Sequence, residues 1–401
     1  MNAMEARTLE IAKTKLESGP SGNKIHRPRL GTGGNFADVF FWDTAFTVMW
    51  AKYHREILPV TTSLDNLYRL QDDSGLINRQ YLPTGQPKWS AEHPISVAPP
   101  VLSWAELDLY RVTLDASRLE SVIDPLLRHH DYIIRTLRAD DGLYFSDALG
   151  CGMDNLPRWH RDWKDSGDGM RLEERHIKGA THNIHRNPAL RWNRQGRWID
   201  LSAQMAFDAW CLAEIAKTIG RRRDEERLRA EHEELSRLIN DRMWSERLGC
   251  YVDLGYGTQV DRLHIGGFWP LIARIVPDDR AARLAAHLED EQTFGTPVPV
   301  PTLARNDLDF DPHGGYWRGA SWAPTTYMVL CGLAACGRRA LAARLARRAL
   351  DAVVVVHERT GTIWENYAPM EPSPGRPGQP DFCGWSGLFT VAIPRELIGD
   401  L

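Results

Sequence analysis

No basic excess, no long apolar run and no paired cysteine motif marks this chain. Lysine and arginine total 49 against 53 acidic residues, a net charge of -4, so no field exists to hold a polyanion and no nucleic-acid partner is expected. No uninterrupted apolar stretch reaches the length a bilayer needs, which speaks against a membrane. Residues 1–20 carry Glu5, Arg7, Glu10, Lys13, Lys15 and Glu17 without the apolar core of a secretory leader, and a cytoplasmic protein is expected. The six cysteines (Cys151, Cys211, Cys250, Cys331, Cys336 and Cys383) include no C-x-x-C pair and fit neither a zinc site nor a compact disulfide framework. Reduced thiols, no metal and no cofactor are the expectation. Nothing in the sequence fixes an oligomeric state.

Alternating strands are also scarce, whereas helical periodicity recurs throughout. It predicts helices over 43–56, 62–70, 101–114, 119–137, 200–219, 222–244, 265–275, 277–288, 321–335, 338–357 and 385–397. They arrive in pairs, an apolar member followed by a more charged one, as inner and outer helices would. Six such pairs make an (α/α)6 barrel, an all-α fold. No repeating period suggests a solenoid, and no Pro/Ser linker divides the chain, so a single catalytic domain over residues 1–401 is expected, with a long loop insertion at about 145–198.

Tryptophan is abundant. Fifteen are present, many beside Gly, Pro, Asp or Arg rather than inside apolar runs. A flat apolar face with a polar rim suits a pyranose ring, and a small carbohydrate is the expected ligand. Most Trp, Gly, Asp and His clusters fall in long connections at 71–98, 145–198, 245–264, 291–320 and 358–384, where loops of one barrel mouth would gather.

Cleavage of a glycosidic bond needs a proton donor and a second carboxylate that activates water or attacks carbon. Asp154 lies in Cys151-Gly152-Met153-Asp154-Asn155-Leu156-Pro157-Arg158-Trp159, where a turn or helix cap is the competing use of Asp-Asn. Arg158 and Trp159 are placed to shape a sugar subsite. Glu365 lies in Gly361-Thr362-Ile363-Trp364-Glu365-Asn366-Tyr367, boxed by aromatics ahead of a Pro/Gly-rich stretch. A surface glutamate is the alternative reading, but such residues are seldom flanked this way.

Several segments together resemble glycoside hydrolase family 63 and the related trehalase-like (α/α)6 enzymes, most of all the bacterial branch holding mannosylglycerate and glucosylglycerate hydrolases. Phe40-Phe41-Trp42-Asp43 resembles that group's early aromatic-Trp-Asp motif, which lines the sugar subsite. The segment from Gly152 to Arg158 is similar to G-x-D-N-S-P-R, with Leu156 in place of the usual serine. Tyr316-Trp317-Arg318-Gly319-Ala320-Ser321-Trp322 resembles W-R-G-x-x-W, Trp364-Glu365-Asn366-Tyr367 resembles E-x-Y, and Phe382-Cys383-Gly384-Trp385 resembles a terminal F-x-W. The resemblance implies an inverting hydrolase in which Asp154 is general acid and Glu365 general base. It also implies substrate contacts from Phe41, Trp42, Asp43, Asn155, Arg158, Trp159, Trp317, Arg318, Trp322, Trp364, Tyr367 and Trp385. Arg318 would orient Glu365 or bind a hydroxyl, and Asp43 would bind sugar hydroxyls unless it caps its helix.

Two departures stand out. Ala98 falls where relatives carry a polar residue before Pro99-Pro100, which leaves the sugar open. The stretch 163–198 has no family counterpart; its His176, His182 and His185 have no zinc-ligand spacing, and with Arg171, Arg175 and Arg186 it reads as a lid or an anionic-aglycone contact. Two rival functions share the fold: a sugar epimerase or isomerase using His264 and His313, and a non-catalytic carbohydrate-binding protein.

Overall fold

The computed structural model describes residues 3–17, 25, 28–91, 94–147, 149–158 and 196–399. The helices are α1 (Ala3–Thr14), α2 (Phe41–Ala51), α3 (Val60–Arg69), α4 (Leu102–Thr113), α5 (Ala116–Leu137), α6 (Ile199–Thr218) and α7 (Arg222–Arg242). After these come α8 (Trp269–Ile272), α9 (Asp278–Glu289), α10 (Ala323–Ala335), α11 (Arg339–Thr360) and two π-helical turns, Leu388–Ala392 and Pro394–Ile398. Strands among the described residues are two-residue ladders in the loops.

Apolar character sorts the helices into two layers. Every residue of α2 is buried, and α10 is buried over nearly its whole length, because these sequences are apolar all round. By contrast α7 buries only Leu228, Leu235 and Ile239, one narrow stripe on an otherwise charged helix. The inner layer closes on itself. Helix α2 packs on α4, α4 on α6, α6 on α8, α8 on α10, α10 on the first π-helical turn, and that turn on α2. Outside it, α3 covers α2, α5 covers α4, α7 covers α6, α11 covers α10, and α1 covers the π-helical turn, while α9 rests on the Cys250–Tyr251 strand. This is an (α/α)6 barrel.

The two layers are also tied by charge. His130 of α5 bonds Asp208 of α6 at 2.7 Å and Glu231 of α7 at 3.1 Å, with Ser103 of α4 on the other oxygen of Asp208.

Three elements differ from the periodic pattern. Helix α1 belongs to the barrel as an outer helix: Thr8 Oγ1 meets Thr390 Oγ1 at 2.6 Å, and Glu5 pairs with Arg395 at 2.6 Å. The stretch 265–275 is a 3-10 turn, Ile265–Phe268, and the four-residue α8, not one helix. Gly266-Gly267 and Pro270 interrupt it, and a side chain at Gly267 would strike the Tyr251 carbonyl. The last inner element is π-helical around Pro394, which lacks the amide an α-helix would use. No disulfide joins any of the six cysteines, and among the described residues no helix is long and apolar enough to cross a membrane.

Candidate active site

The amino-terminal ends of the inner helices converge on one mouth. Asp43 lies in the first turn of α2, Asp200 in that of α6, Trp322 caps α10, and Trp385 precedes the π-helical turns. Phe40, not Asp43, occupies the cap of α2, so the Asp43 carboxylate is not consumed as a cap. Helix starts carry partial positive charge, which favours carboxylates there.

A two-residue ladder builds the first wall. Val39–Phe40 pairs antiparallel with Gln80–Tyr81, and Phe41 N donates to Arg79 O at 2.9 Å. The pairing sets Arg79 beside the start of α2. Trp42 then meets Trp317 and Trp385 at ring-centroid distances of 6.0 and 5.9 Å, and Trp317 stacks on Trp322 at 4.0 Å and 3°. Those four indoles form one buried aromatic block.

The Asp154 loop is coiled upon Asp147, whose carboxylate accepts Gly150 N at 2.5 Å and whose carbonyl accepts Cys151 N at 3.0 Å. Gly152 has φ +77°, and a Cβ there would lie 2.6 Å from the Trp42 ring, so only glycine lets this loop lie on that indole. Asn155 reaches across to the Trp317 loop. Its Oδ1 accepts Trp317 N at 2.8 Å and its Nδ2 donates to Gly315 O at 2.8 Å. Between those two anchors Tyr316 sits at φ +65°, a conformation a bulky residue holds only when its neighbours impose it.

Glu365 is buried on the opposite loop. Its main-chain amide donates to Gln379 O at 2.9 Å, and its carboxylate accepts Gln379 N at 3.1 Å. Trp385 Nε1 holds its carbonyl at 3.1 Å. The loop is further pinned by Tyr367, which exchanges both main-chain hydrogen bonds with Ser321.

Burial raises each of four carboxyls here, and for three of them a neighbouring carboxylate adds to it. Burial lifts Glu365 to about 7, with Asp154 adding to the rise against the Gln379 amide. Burial lifts Asp154 to about 6 and Asp147 also to about 6, both opposed by Arg79, and the charge of Asp147 reinforces the shift of Asp154. Asp43 is driven to about 8 by burial, with Glu365 and Asp154 adding and Arg79 subtracting. The phenol of Tyr316 is pushed up by burial and by the charges of Asp154, Glu365 and Asp43. Asp43, Asp154, Glu365 and Tyr316 thus share one field, and a partly protonated set of carboxyls can both give and take protons near neutral pH.

The expected contacts divide. Asp43, Trp42, Asp154, Glu365, Trp317, Trp322 and Trp385 come together. Phe41 instead packs inside the barrel against His129 at 5.1 Å. Tyr367 is buried, and its hydroxyl accepts Trp364 N at 3.2 Å, while Trp364 Nε1 turns outward to Thr360 at 3.0 Å. Arg158 is fully buried, its guanidinium spread between Asp200 and Asp253 (2.9 Å) and stacked 4.0 Å over Trp198, which makes it the anchor of the Asp154 loop rather than a sugar contact. Arg318 faces Asp311 at 3.8 Å and is half exposed, not directed at Glu365. Trp159 and the 163–195 histidines and arginines lie outside the described residues. His264 is locked between Gly266 N and Asp253, and His313 is exposed, so neither stands free for proton transfer in the cleft. Sequence reasoning missed Arg79, Asp147 and the placement of Tyr316; Tyr316 stood in a quoted motif, whereas nothing around Arg79 signalled its role.

Comparison with known proteins identifies the family of the chain. Residues 39–386 match the model of the mannosylglycerate hydrolase MGH1-like glycoside hydrolase domain. An uncharacterized protein of Borreliella burgdorferi is 26% identical over 319 residues, covering 78% of this chain and 60% of its own length, so the chain spans less than two thirds of that relative. A mannosylglycerate hydrolase of Rubrobacter radiotolerans is 26% identical over 344 residues, covering 75% and 74% of the two chains. The crystal structure of a GH63 mannosylglycerate hydrolase from Thermus thermophilus in complex with glucose superposes with a TM-score of 0.77 at 21% identity, over 97% of this chain and 99% of that one. At that identity the superposition speaks for the shared barrel.

Proposed function

The chain belongs to the mannosylglycerate hydrolase MGH1-like glycoside hydrolase family, and from that membership we propose that it is a single-domain inverting hydrolase of a small α-glycoside. Asp154 protonates the leaving oxygen, and Glu365 deprotonates a water that attacks the anomeric carbon from the opposite face. The carrying observation is that the two carboxyls stand on different loops of one aromatic-walled mouth, where the charge of Asp154 reaches Glu365 and the charges of both reach Tyr316. Asp43, driven to about 8, keeps its proton at neutral pH and can donate to a sugar hydroxyl while accepting through its other oxygen. Trp42, Trp317 and Trp385 supply the apolar wall for the pyranose. The substrate is an α-glucoside or α-mannoside, including glycosylglycerates. Six cysteines with no disulfide among them fit a reducing, cytoplasmic location.

The test is a panel of α-glucosides, α-mannosides and glycosylglycerates, with the released anomer followed by NMR for wild type, Asp154→Asn and Glu365→Gln. First release of the inverted anomer, lost roughly 100-fold or more in both variants, is expected. Retained configuration, or turnover that survives either change, refutes the assignment.

A further inference from the structure

Arg79 is the basic residue whose charge is felt in common by Asp43, Asp147, Asp154 and Tyr316. Its main chain is fixed, the amide donating to Ser96 O at 2.7 Å and the carbonyl accepting from Phe41 N at 2.9 Å. Its side chain is not. Nη2 stands 3.7 Å from Asp154 Oδ1, an attractive separation but too long for a hydrogen bond. Both side chains keep partial exposure at the cleft, 15% for Arg79 and 24% for Asp154. A guanidinium carries five donors, and no hydrogen bond from these reaches another described residue. Such a group is anchored at its base and unspent at its tip.

Its present position is awkward for an acid catalyst. A cation beside Asp154 favours the ionised carboxylate, whereas the proposed reaction requires Asp154 to hold a proton until the leaving oxygen takes it. Glu365, which must be ionised in the proposed reaction, is buried and meets the Gln379 amide and the charge of Asp154, with no lowering from Arg79. This arrangement therefore places the proton preferentially on the base.

We propose that Arg79 is a partner-switching positioning residue: it stands by Asp154 in the free enzyme and swings to an oxygen of the leaving half of the substrate once that half is bound. The hydroxyl or carboxylate oxygens of a sugar or hydroxy-acid leaving group are suitable acceptors. With the guanidinium engaged there, Asp154 takes a proton from solvent and passes it to the glycosidic oxygen as the C–O bond breaks, while the water oxygen bonds the anomeric carbon and gives its proton to Glu365. The remaining ionisable neighbours, Asp43 on α2, Asp147 at the base of the loop, Glu365 opposite and Tyr316 alongside, stay in place. The inference rests on the assignment of Asp154 as the acid.

The experiment is a pair of pH profiles, kcat/KM for the free enzyme and kcat for the bound one, on the glycoside that wild type turns over fastest. Wild type, Arg79→Gln, Arg79→Lys and Asp154→Asn are compared. The alkaline limb of wild type is expected at higher pH in kcat than in kcat/KM. In kcat/KM, where Asp154 gives the lower break, Arg79→Gln raises that break by roughly one unit or more and lifts the plateau with it; it leaves the kcat profile nearly where it was and raises KM about tenfold for the lost contact. Arg79→Lys, which keeps the charge and tolerates the fold, falls between. Coincident alkaline limbs in wild type, or an unmoved Asp154 break in the kcat/KM profile of Arg79→Gln, overturn the switch. Full activity in Asp154→Asn overturns the acid assignment instead, so the two failures are told apart.

Discussion

Asn155 accepts the main-chain amide of Trp317 at 2.8 Å across 162 residues of sequence. With its second bond to Gly315, the same side chain fastens the Asp154 loop to the aromatic wall and imposes the left-handed backbone of Tyr316. Asn155→Ala strands a buried amide and a buried carbonyl, at a cost of about 1–3 kcal/mol each way. Urea denaturation is expected to show that loss. Turnover is expected to fall at least tenfold with little change in KM, because the acid is displaced while the sugar wall stays.

With Asp154 as acid and Glu365 as base, as proposed, the pH dependence of the free enzyme has a definite form. Glu365 must be ionised, so activity falls as pH drops through about 7. Asp154 must be protonated, so activity falls as pH rises through about 6. Limbs in that order leave only a minority of molecules correctly protonated and give a narrow bell in kcat/KM between those values. A flat profile over about pH 5 to 8 would contradict this pair of environments.

Arg158 separates a structural from a binding role. Arg158→Met leaves Asp200 and Asp253 buried without their cation, and breaking such a network costs about 3–5 kcal/mol. A large drop in denaturation midpoint is expected, with KM unchanged in the folded fraction. A raised KM at unaltered stability would instead make Arg158 a substrate contact.

His130 links stability to pH. Burial alone would strip its proton, but Asp208 and Glu231 outweigh that and hold it to about 10, against 6.5 for a free imidazole. The proton is bound more tightly in the folded chain, so its contribution is complete below about 6.5 and lost as pH climbs towards about 10. Unfolding free energy measured across that interval is expected to decline, and His130→Gln should flatten the decline.

Much of this was legible beforehand because helix periodicity and the order of short motifs are local signals. The apolar faces of α2, α4, α6 and α10 announce inner helices, and the Trp-Asp, Asp-Asn and Trp-Glu segments mark where loops carry chemistry. What stayed hidden is contact between distant segments. Arg158 looks like a subsite residue until Asp200 and Asp253 are seen to claim it. Arg79 looks like any strand-end arginine until the Phe40–Gln80 pairing carries it to Asp154. Helix α1 has a weak apolar stripe, and its barrel face becomes evident only against Thr390 and Arg395.

That last contact governs when the molecule can become whole. The sixth wedge of the barrel joins α1 to turns lying nearly four hundred residues later, and the pairs Thr8–Thr390 and Glu5–Arg395 are its seam. Five wedges can assemble on the ribosome as each hairpin emerges, but the ring cannot shut before residues 388–398 have left the exit tunnel. Until then the apolar flanks of α2 and α10 that will receive those turns stand open, so a nascent chain stalled short of them is a substrate for chaperones, not an enzyme.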